Sequence, residues 1–330
     1  MTASVLPPPI PYDRTSQRPA WSALPPSLRA AITARLGSPV IEAKVTGTGF
    51  TSGFAAVLTL SSGGRYFIKA APLDQPASQW YAREAAFTSV LPSLVPTKPL
   101  LWSEKLEGFF VLCLEAIEGA RVPALPWDPD ELSEALSALA TTSHALACPP
   151  PALLALEPTT WGSVIDGNLD KWRTAPPPHP HAARLAELEA HFDSYTRSST
   201  DLLHCDLRLD NVVLDSDSKA WICDWNFLSY GPPWFDTLSL LLSAEASGFN
   251  PDELFWAHPT TVGVTPELLD GALAAILGYY LRASAEPEIP TSPHVRSHQR
   301  YYGSLTWRWL NRRLGLDPGQ SVLALAPVAW

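Results

Sequence analysis

The chain has 330 residues, a length that suggests about two domains and allows a large buried core. Hydrophobic residues make up 46% and charged residues 17%, a balance that excludes a disordered chain. The net charge of −10 argues against a general nucleic-acid binder, which would carry a basic patch or stripe.

The first two dozen residues are rich in proline and read as a loosely attached arm, residues 1–24. They show neither a basic nor an apolar signal region, so a cytoplasmic location is the expectation. Pro25 to Leu36 reads as a short helix, with proline at its start and Gly37 just past its end. Val40–Val45, Ala55–Leu60 and Arg65–Ala70 read as strands, the last two joined by the turn Ser61-Ser62-Gly63-Gly64. Gln79–Val90 has helical spacing, and Leu100–Trp102 and Phe109–Leu114 read as two more strands. Residues 40–115 therefore form a compact antiparallel α+β unit.

Beyond Glu115 the chain turns mainly helical. Asp128 reads as the N-cap of a helix reaching about Ala147, with Pro129 at its first position. A second helix runs from about His181 to Thr196. Short strands follow at Leu202–Leu203, Val212–Leu214 and Ala220–Cys223. Asp236 reads as the cap of a helix through Ser247, and Pro266–Ala283 and His294–Leu314 read as the last long helices. The apolar run Leu268–Leu281 is too short to span a bilayer, and no membrane association is expected. Four scattered cysteines without a C-x-x-C pair suggest neither a zinc site nor a disulfide framework. Residues 1–115 carry ten basic and seven acidic side chains, whereas residues 116–330 carry thirteen and twenty-six, so the second part has a net charge of −13. That excess fits either an ordinary solvated surface or a region that attracts cations.

The segment LLHCDLRLDNVVLDSDSKAWICDW, Leu202 to Trp225, carries the most chemistry. It places His204, Asp206 and Asn211 on a loop between short strands and Asp224 at the end of the next strand, thirteen residues past Asn211. Asn211 and Asp224 can converge on one divalent ion, since hard cations take oxygen ligands. HCDLRLDN followed by ICDWN resembles the H-G-D-x-x-x-x-N loop and D-W strand end of the aminoglycoside phosphotransferase family, in the protein-kinase-like superfamily. The departures are Cys205 in place of the usual glycine, Leu209 where proline is common, and Asn226 in place of the glycine of protein kinases.

The resemblance implies a bilobal protein-kinase-like α+β fold. An antiparallel sheet lobe (1–115) would precede a helical C-terminal lobe (116–330). It further implies a phosphate-covering loop, a strand lysine, a helix glutamate and a hinge, in that order. GTGFTSGF, Gly47 to Phe54, sits where the loop belongs, with Gly47, Gly49, Ser52 and Gly53 as nucleotide contacts. Lys69 ends the next strand, and Glu84 lies fifteen residues later on the helix, placed to pair with it. Cys113 and Glu115 fall where a hinge would face adenine. By the same resemblance Asp206 is the catalytic residue, and Asn211 and Asp224 are the Mg²⁺ ligands. ATP is the donor, with GTP left open, and the acceptor is a hydroxyl of a small molecule.

That acceptor would be an aminoglycoside, another antibiotic, a choline-like amine, a sugar or an amino-acid-like metabolite, with a cationic compound as one expectation. Glu245, Asp252, Glu253, Glu267 and Asp270, and the aromatics Trp161, Trp172, Trp234 and Trp256, are its candidate contacts. Only eleven residues separate Asp224 from Asp236, which disfavours a protein kinase with its long activation segment. Retention of Lys69, Asp206, Asn211 and Asp224 disfavours a nucleotide-binding pseudokinase. His204 reads as a structural histidine and Asp236 as a brace for the loop. The residues set no oligomeric state and give the N-terminal arm no role.

Overall fold

The computed structural model describes residues 5, 6, 8 and 10–316. Helix α1 (Pro26–Leu36) precedes strands β1 (Val40–Val45), β2 (Phe54–Leu60) and β3 (Arg65–Pro72), then α2 (Pro76–Thr88), β4 (Leu100–Leu106) and β5 (Phe109–Glu115). The five strands form one antiparallel sheet in the order β1-β2-β3-β5-β4. Side chains alternate faces along each strand. Phe54, Ala56 and Leu58 of β2, with Ile68, Val111 and Cys113, pack on Leu28 and Ile32 of α1. Ala71 and Leu112 face Ala77, Tyr81 and Ala85 of α2 instead. Lys69 has the parity of Ala71, which turns its ammonium toward α2.

The rest is mainly helical. Helix α3 (Pro129–Leu146) starts at Asp128, whose carboxylate accepts the N–H groups of Asp130 and Glu131. Short helices α4 (Pro151–Leu154), α5 (Trp161–Val164) and α6 (Lys171–Thr174) lead to α7 (Ala182–Thr196). Two small hairpin-like pairs follow: β6 (Leu202–Leu203) with β9 (Ser229–Tyr230), and β7 (Val212–Leu214) with β8 (Ala220–Ile222). Helices α8 (Trp234–Ala246), α9 (Pro251–Ala257), α10 (Pro266–Ser284) and α11 (Val295–Leu314) complete the fold. α8 is buried nearly all round, and Leu238, Leu240 and Leu241 are fully enclosed, as expected of a helix apolar on every side. The short elements α4–α6 and α9 escape periodicity because four to seven residues do not define a helical face. Among the described residues no helix is long and apolar enough to cross a membrane.

The N-terminal segment differs from its sequence reading. Ile10, Tyr12 and Thr15 are buried. The Leu6 N–H donates to Ala246 O (2.8 Å), the Tyr301 hydroxyl donates to Leu6 O (2.6 Å), and the Tyr12 hydroxyl lies 3.0 Å from His298 Nδ1. Further on, the Thr15 hydroxyl donates to Gly49 O (2.6 Å) and the Ser16 hydroxyl to Thr51 O (2.8 Å). This stretch is an arm docked on α8, α11 and the glycine-rich loop, not a loose tail. Proline-rich backbone has no period to read, and its anchorage through single side chains leaves no pattern.

Candidate active site

Strand β3 and helix α2 place Lys69 and Glu84 face to face. The ammonium donates to both carboxylate oxygens at 2.8 Å and also contacts Asp224 Oδ1. Burial opposes charge on Lys69, but the Asp224 and Glu84 carboxylates outweigh it and hold the lysine protonated. Burial likewise works against the Asp224 carboxylate, yet Lys69 keeps its pKa below the usual range. Asp224 has φ +64°, a left-handed conformation that starts the turn after β8.

The β7–β8 pair holds the loop residues opposite Asp224. The Cys223 N–H donates to Asn211 O (3.0 Å), one residue before Asp224. Asn211 Nδ2 donates to the Asp206 backbone carbonyl (2.7 Å) and to Asp206 Oδ2 (3.3 Å). Asn211 Oδ1 is buried and has no hydrogen-bond partner. An orphaned amide oxygen one residue out of register with a carboxylate suits a hard divalent cation. Arg208 forks between Asp206 Oδ1 and Asp210, with Nε 3.0 Å from Asp210 Oδ1. Burial raises the Asp206 pKa, and Arg208 pulls it back.

His204 is fully buried and neutral: burial pushes its pKa down to about 4. Its Nε2 is 2.8 Å from Cys223 O, and its Nδ1 accepts the Asp206 N–H at 3.3 Å. The ring braces the loop, as read from the sequence. Asp236 also braces it, accepting the N–H groups of His204 (2.7 Å) and Cys205 (2.9 Å). It does not cap its helix, since α8 begins at Trp234 and the Asp236 side chain is spent on the loop instead. Cys205 sits at φ +69°, which accounts for the glycine expected there.

The glycine-rich loop is held from outside. A Cβ on Gly47 would lie 2.5 Å from Asp13 O, so this glycine admits the N-terminal arm. Gly49 has φ +77° and needs the left-handed freedom of glycine. Arg18, unremarked in the sequence, donates from Nη1 to Gly53 O (2.8 Å) and Tyr81 Oη (3.3 Å), and from Nη2 to Thr48 O (2.9 Å). It lines the same cavity of about 430 Å³ as Gly49, Ser52, Lys69, Glu84 and Asp224. The loop tip Phe50 rests 4.8 Å from the His298 ring. No motif marks Arg18, which lies in the proline-rich arm well before the glycine-rich loop that it meets in the fold.

Not every candidate converges. Cys113 lies in mid-strand, paired with Ile68 on one side and Trp102 on the other, and its side chain belongs to the sheet core. Glu115 ends β5, and its carboxylate takes the Lys98 ammonium at 2.9 Å. Neither lines the 430 Å³ cavity, because β5 runs two residues further in ladder pairing than a hinge at Cys113 requires.

A second cavity of about 530 Å³ lies across Asp206 and Arg208, which line both. None of the five acidic acceptor candidates faces either cavity. Glu245 is buried against Arg308 and Arg312, Asp252 and Asp270 share Arg313, Glu253 takes the Asn250 amide at 2.8 Å, and Glu267 lies in the first turn of α10. Trp161, Trp172 and Trp234 are core residues, and Trp256 lies beside Arg313. The aromatics at the cavity are Trp80, Phe227, Phe235, Tyr279 and Tyr280.

A profile of the phosphotransferase enzyme family matches residues 46–282, from the glycine-rich loop through α10. The chain belongs to this family. No curated protein sequence matches this phosphotransferase. Its fold is similar to that of aminoglycoside phosphotransferase APH(4)-Ia in ternary complex with ADP and hygromycin B (TM-score 0.59, 15% identity, 89% of this chain and 100% of that chain). It is similar also to choline kinase LicA from Streptococcus pneumoniae (0.58, 15%, 87% and 97%). An amicoumacin kinase in complex with AMP-PNP and Ca²⁺ is a further likeness (0.55, 11%, 85% and 93%). At these identities the likeness establishes the bilobal kinase-like fold of the phosphotransferase.

Proposed function

We propose that this phosphotransferase moves the γ-phosphoryl group of ATP to a hydroxyl group of a small molecule. The observation that carries the reading is that Lys69, Glu84, Asp206 and Asp224 line one cleft beneath a glycine-rich loop, with Asn211 bonded to Asp206. Lys69, fixed by Glu84, neutralises nucleotide phosphates. Arg18 holds the loop over them by its carbonyls. Asp206 orients the acceptor hydroxyl and takes its proton as the oxygen bonds to γ-phosphorus and the bond to the β–γ bridging oxygen breaks, releasing ADP. The Asn211 Oδ1 and the Asp224 carboxylate would hold Mg²⁺, which when bound neutralises charge on the phosphate oxygens. Because such transition states are loose, positioning and electrostatics carry most of the acceleration.

The test is a mass-spectrometric screen of small hydroxyl compounds, amino sugars included, with ATP and Mg²⁺, wild type beside Asp206→Asn. A product heavier by one phosphoryl group, absent with the variant, supports the reading. Equal product from both proteins removes Asp206 from the chemistry.

A further inference from the structure

The 530 Å³ cavity has walls from α2, the segments 159–169, 205–208 and 226–229, α8 and α10. Its apolar part is buried: Leu169, Phe235, Leu242 and Ile276. Its ionisable charges are one carboxylate, Asp206, and two guanidinium groups, Arg83 and Arg208. Arg208 is compensated twice, by Asp206 and Asp210. Arg83 pairs with no carboxylate among the described residues. It makes one hydrogen bond, from Nη2 to the Thr159 hydroxyl (2.7 Å), and its guanidinium lies 5.1 Å from the Phe87 ring. Its Nε is buried and without a partner.

Arg83 is half-buried, and its guanidinium lines the cavity without a carboxylate partner among the described residues. The acidic candidates do not supply one: Glu245 meets Arg312 and Asp270 meets Arg313. The Nε is enclosed, so an anion that enters the cavity meets the Nη groups. A guanidinium fork matches two anionic oxygens, and the walls beyond it match a hydrocarbon or aromatic body.

We infer that the acceptor carries an anionic oxygen group, carboxylate or phosphate, on an apolar body, and that Arg83 binds that group while the acceptor's hydroxyl meets Asp206. This inference rests on the phosphotransferase reading of the site. It replaces the expectation of a cationic acceptor, which rested on the net charge of the C-terminal part. A polyamine in this cavity would meet an uncompensated guanidinium and a single carboxylate already held by Arg208.

The experiment uses four alcohols of one size: 4-(hydroxymethyl)benzoate, 4-(hydroxymethyl)phenyl phosphate, 4-(hydroxymethyl)benzamide and 4-(hydroxymethyl)benzylamine. Their affinities are measured by calorimetry on the full chain with AMP-PNP and Mg²⁺ present. The benzoate or the phenyl phosphate should bind at least about tenfold tighter than the amide, and the amine weakest. Which anion leads separates carboxylate from phosphate recognition. Arg83→Gln should bring acid and amide within about twofold, and Arg83→Lys should restore part of the preference. Circular dichroism of each variant reports folding. Tightest binding of the amine, equal affinities of acid and amide for wild type, or binding of none of the four would overturn the inference. Failure of the phosphotransferase reading looks different: AMP-PNP with Mg²⁺ would not bind in the preceding titration, whatever the order of the alcohols.

Discussion

The two sides of Asp206 are built differently. On the phosphate side Lys69 binds both Glu84 and Asp224, Asn211 is tied to Asp206, and Arg18 holds the loop by two hydrogen bonds and Tyr81 of α2 by a third. On the side of the proposed acceptor cavity Arg83 makes one hydrogen bond, and the walls come from six segments spread along the chain. Groups that must meet a polyphosphate in fixed relation are preorganised by mutual ion pairs, so their positions exist before the ligand arrives. Groups that recognise an acceptor are left incomplete, and the ligand completes them.

The comparison breaks most directly at Asp206, which belongs to both sides. Asp206→Asn keeps the side chain's shape but removes the proton acceptor. We expect kcat to fall by about 10²–10⁴-fold with ATP affinity changed little. Steady-state phosphorylation and AMP-PNP titration measure the two. A parallel loss of nucleotide affinity would mean that Asp206 serves the phosphate side alone.

Acid attacks the frame that both sides share. Burial pushes His204 down to about 4; burial, helped by the Arg208 charge, pushes His298 down to about 3. His298 also faces the Tyr12 hydroxyl and the Phe50 ring. In the unfolded chain both imidazoles titrate near about 6.5. The unfolded state therefore binds the protons first, and the stabilisation present above about pH 6.5 is lost as pH falls toward 4, by about 1.4 kcal/mol per pH unit for each histidine. Asp236 acts in the opposite direction, because burial pushes its carboxyl up to about 7 and the folded state takes that proton first. Each histidine's share is read by substitution, as the change in urea midpoint between pH 7 and pH 5. His298→Gln should lose less on acidification. An equal loss in both proteins would remove His298 from the acid response.

The same contrast explains what was legible in the sequence. The order of loop, lysine, glutamate, Asp206–Asn211 and Asp224 is a set of short motifs at fixed spacing, and the structure gathers Lys69, Glu84, Asp206, Asn211 and Asp224. The sheet and the long helices were legible because residues repeating with period two or 3.6 mark faces. Arg83 was invisible because a guanidinium on a helix reads as solvated surface until Thr159, seventy-six positions away, is brought beside it. The acidic candidates of the C-terminal part lie away from the cavities for the same reason. Glu245, Asp252 and Asp270 meet arginines of α11, and a charge count does not see pairing. Arg18 was hidden by the proline-rich arm around it.

Arg18 tests whether that arm belongs to the phosphate side. Arg18→Ala removes its bonds to the carbonyls of Thr48 and Gly53 and to Tyr81. We expect the KM for ATP to rise by roughly tenfold, about 1.4 kcal/mol, with the order of acceptor affinities unchanged. A changed acceptor order with ATP affinity intact would assign the arm to the other side.

The smallest effect belongs to Cys205, where the two sides touch. Its N–H is held by Asp236 behind the 204–211 loop, and the residue lines the 530 Å³ cavity. At φ +69° a residue with a Cβ is disfavoured by about 1–2 kcal/mol relative to glycine. Cys205→Gly relieves that strain but adds backbone freedom to the unfolded chain, about 0.4–1 kcal/mol in the other direction, and gives up the packing of a half-buried thiol. The net gain should be no more than about 1 kcal/mol in urea denaturation. The bonds from Asp236 are to backbone and survive the change, so kcat and the KM for ATP should stay within about twofold. A tenfold loss of kcat would show that the Cβ of Cys205, and not Asp236 alone, sets the position of Asp206.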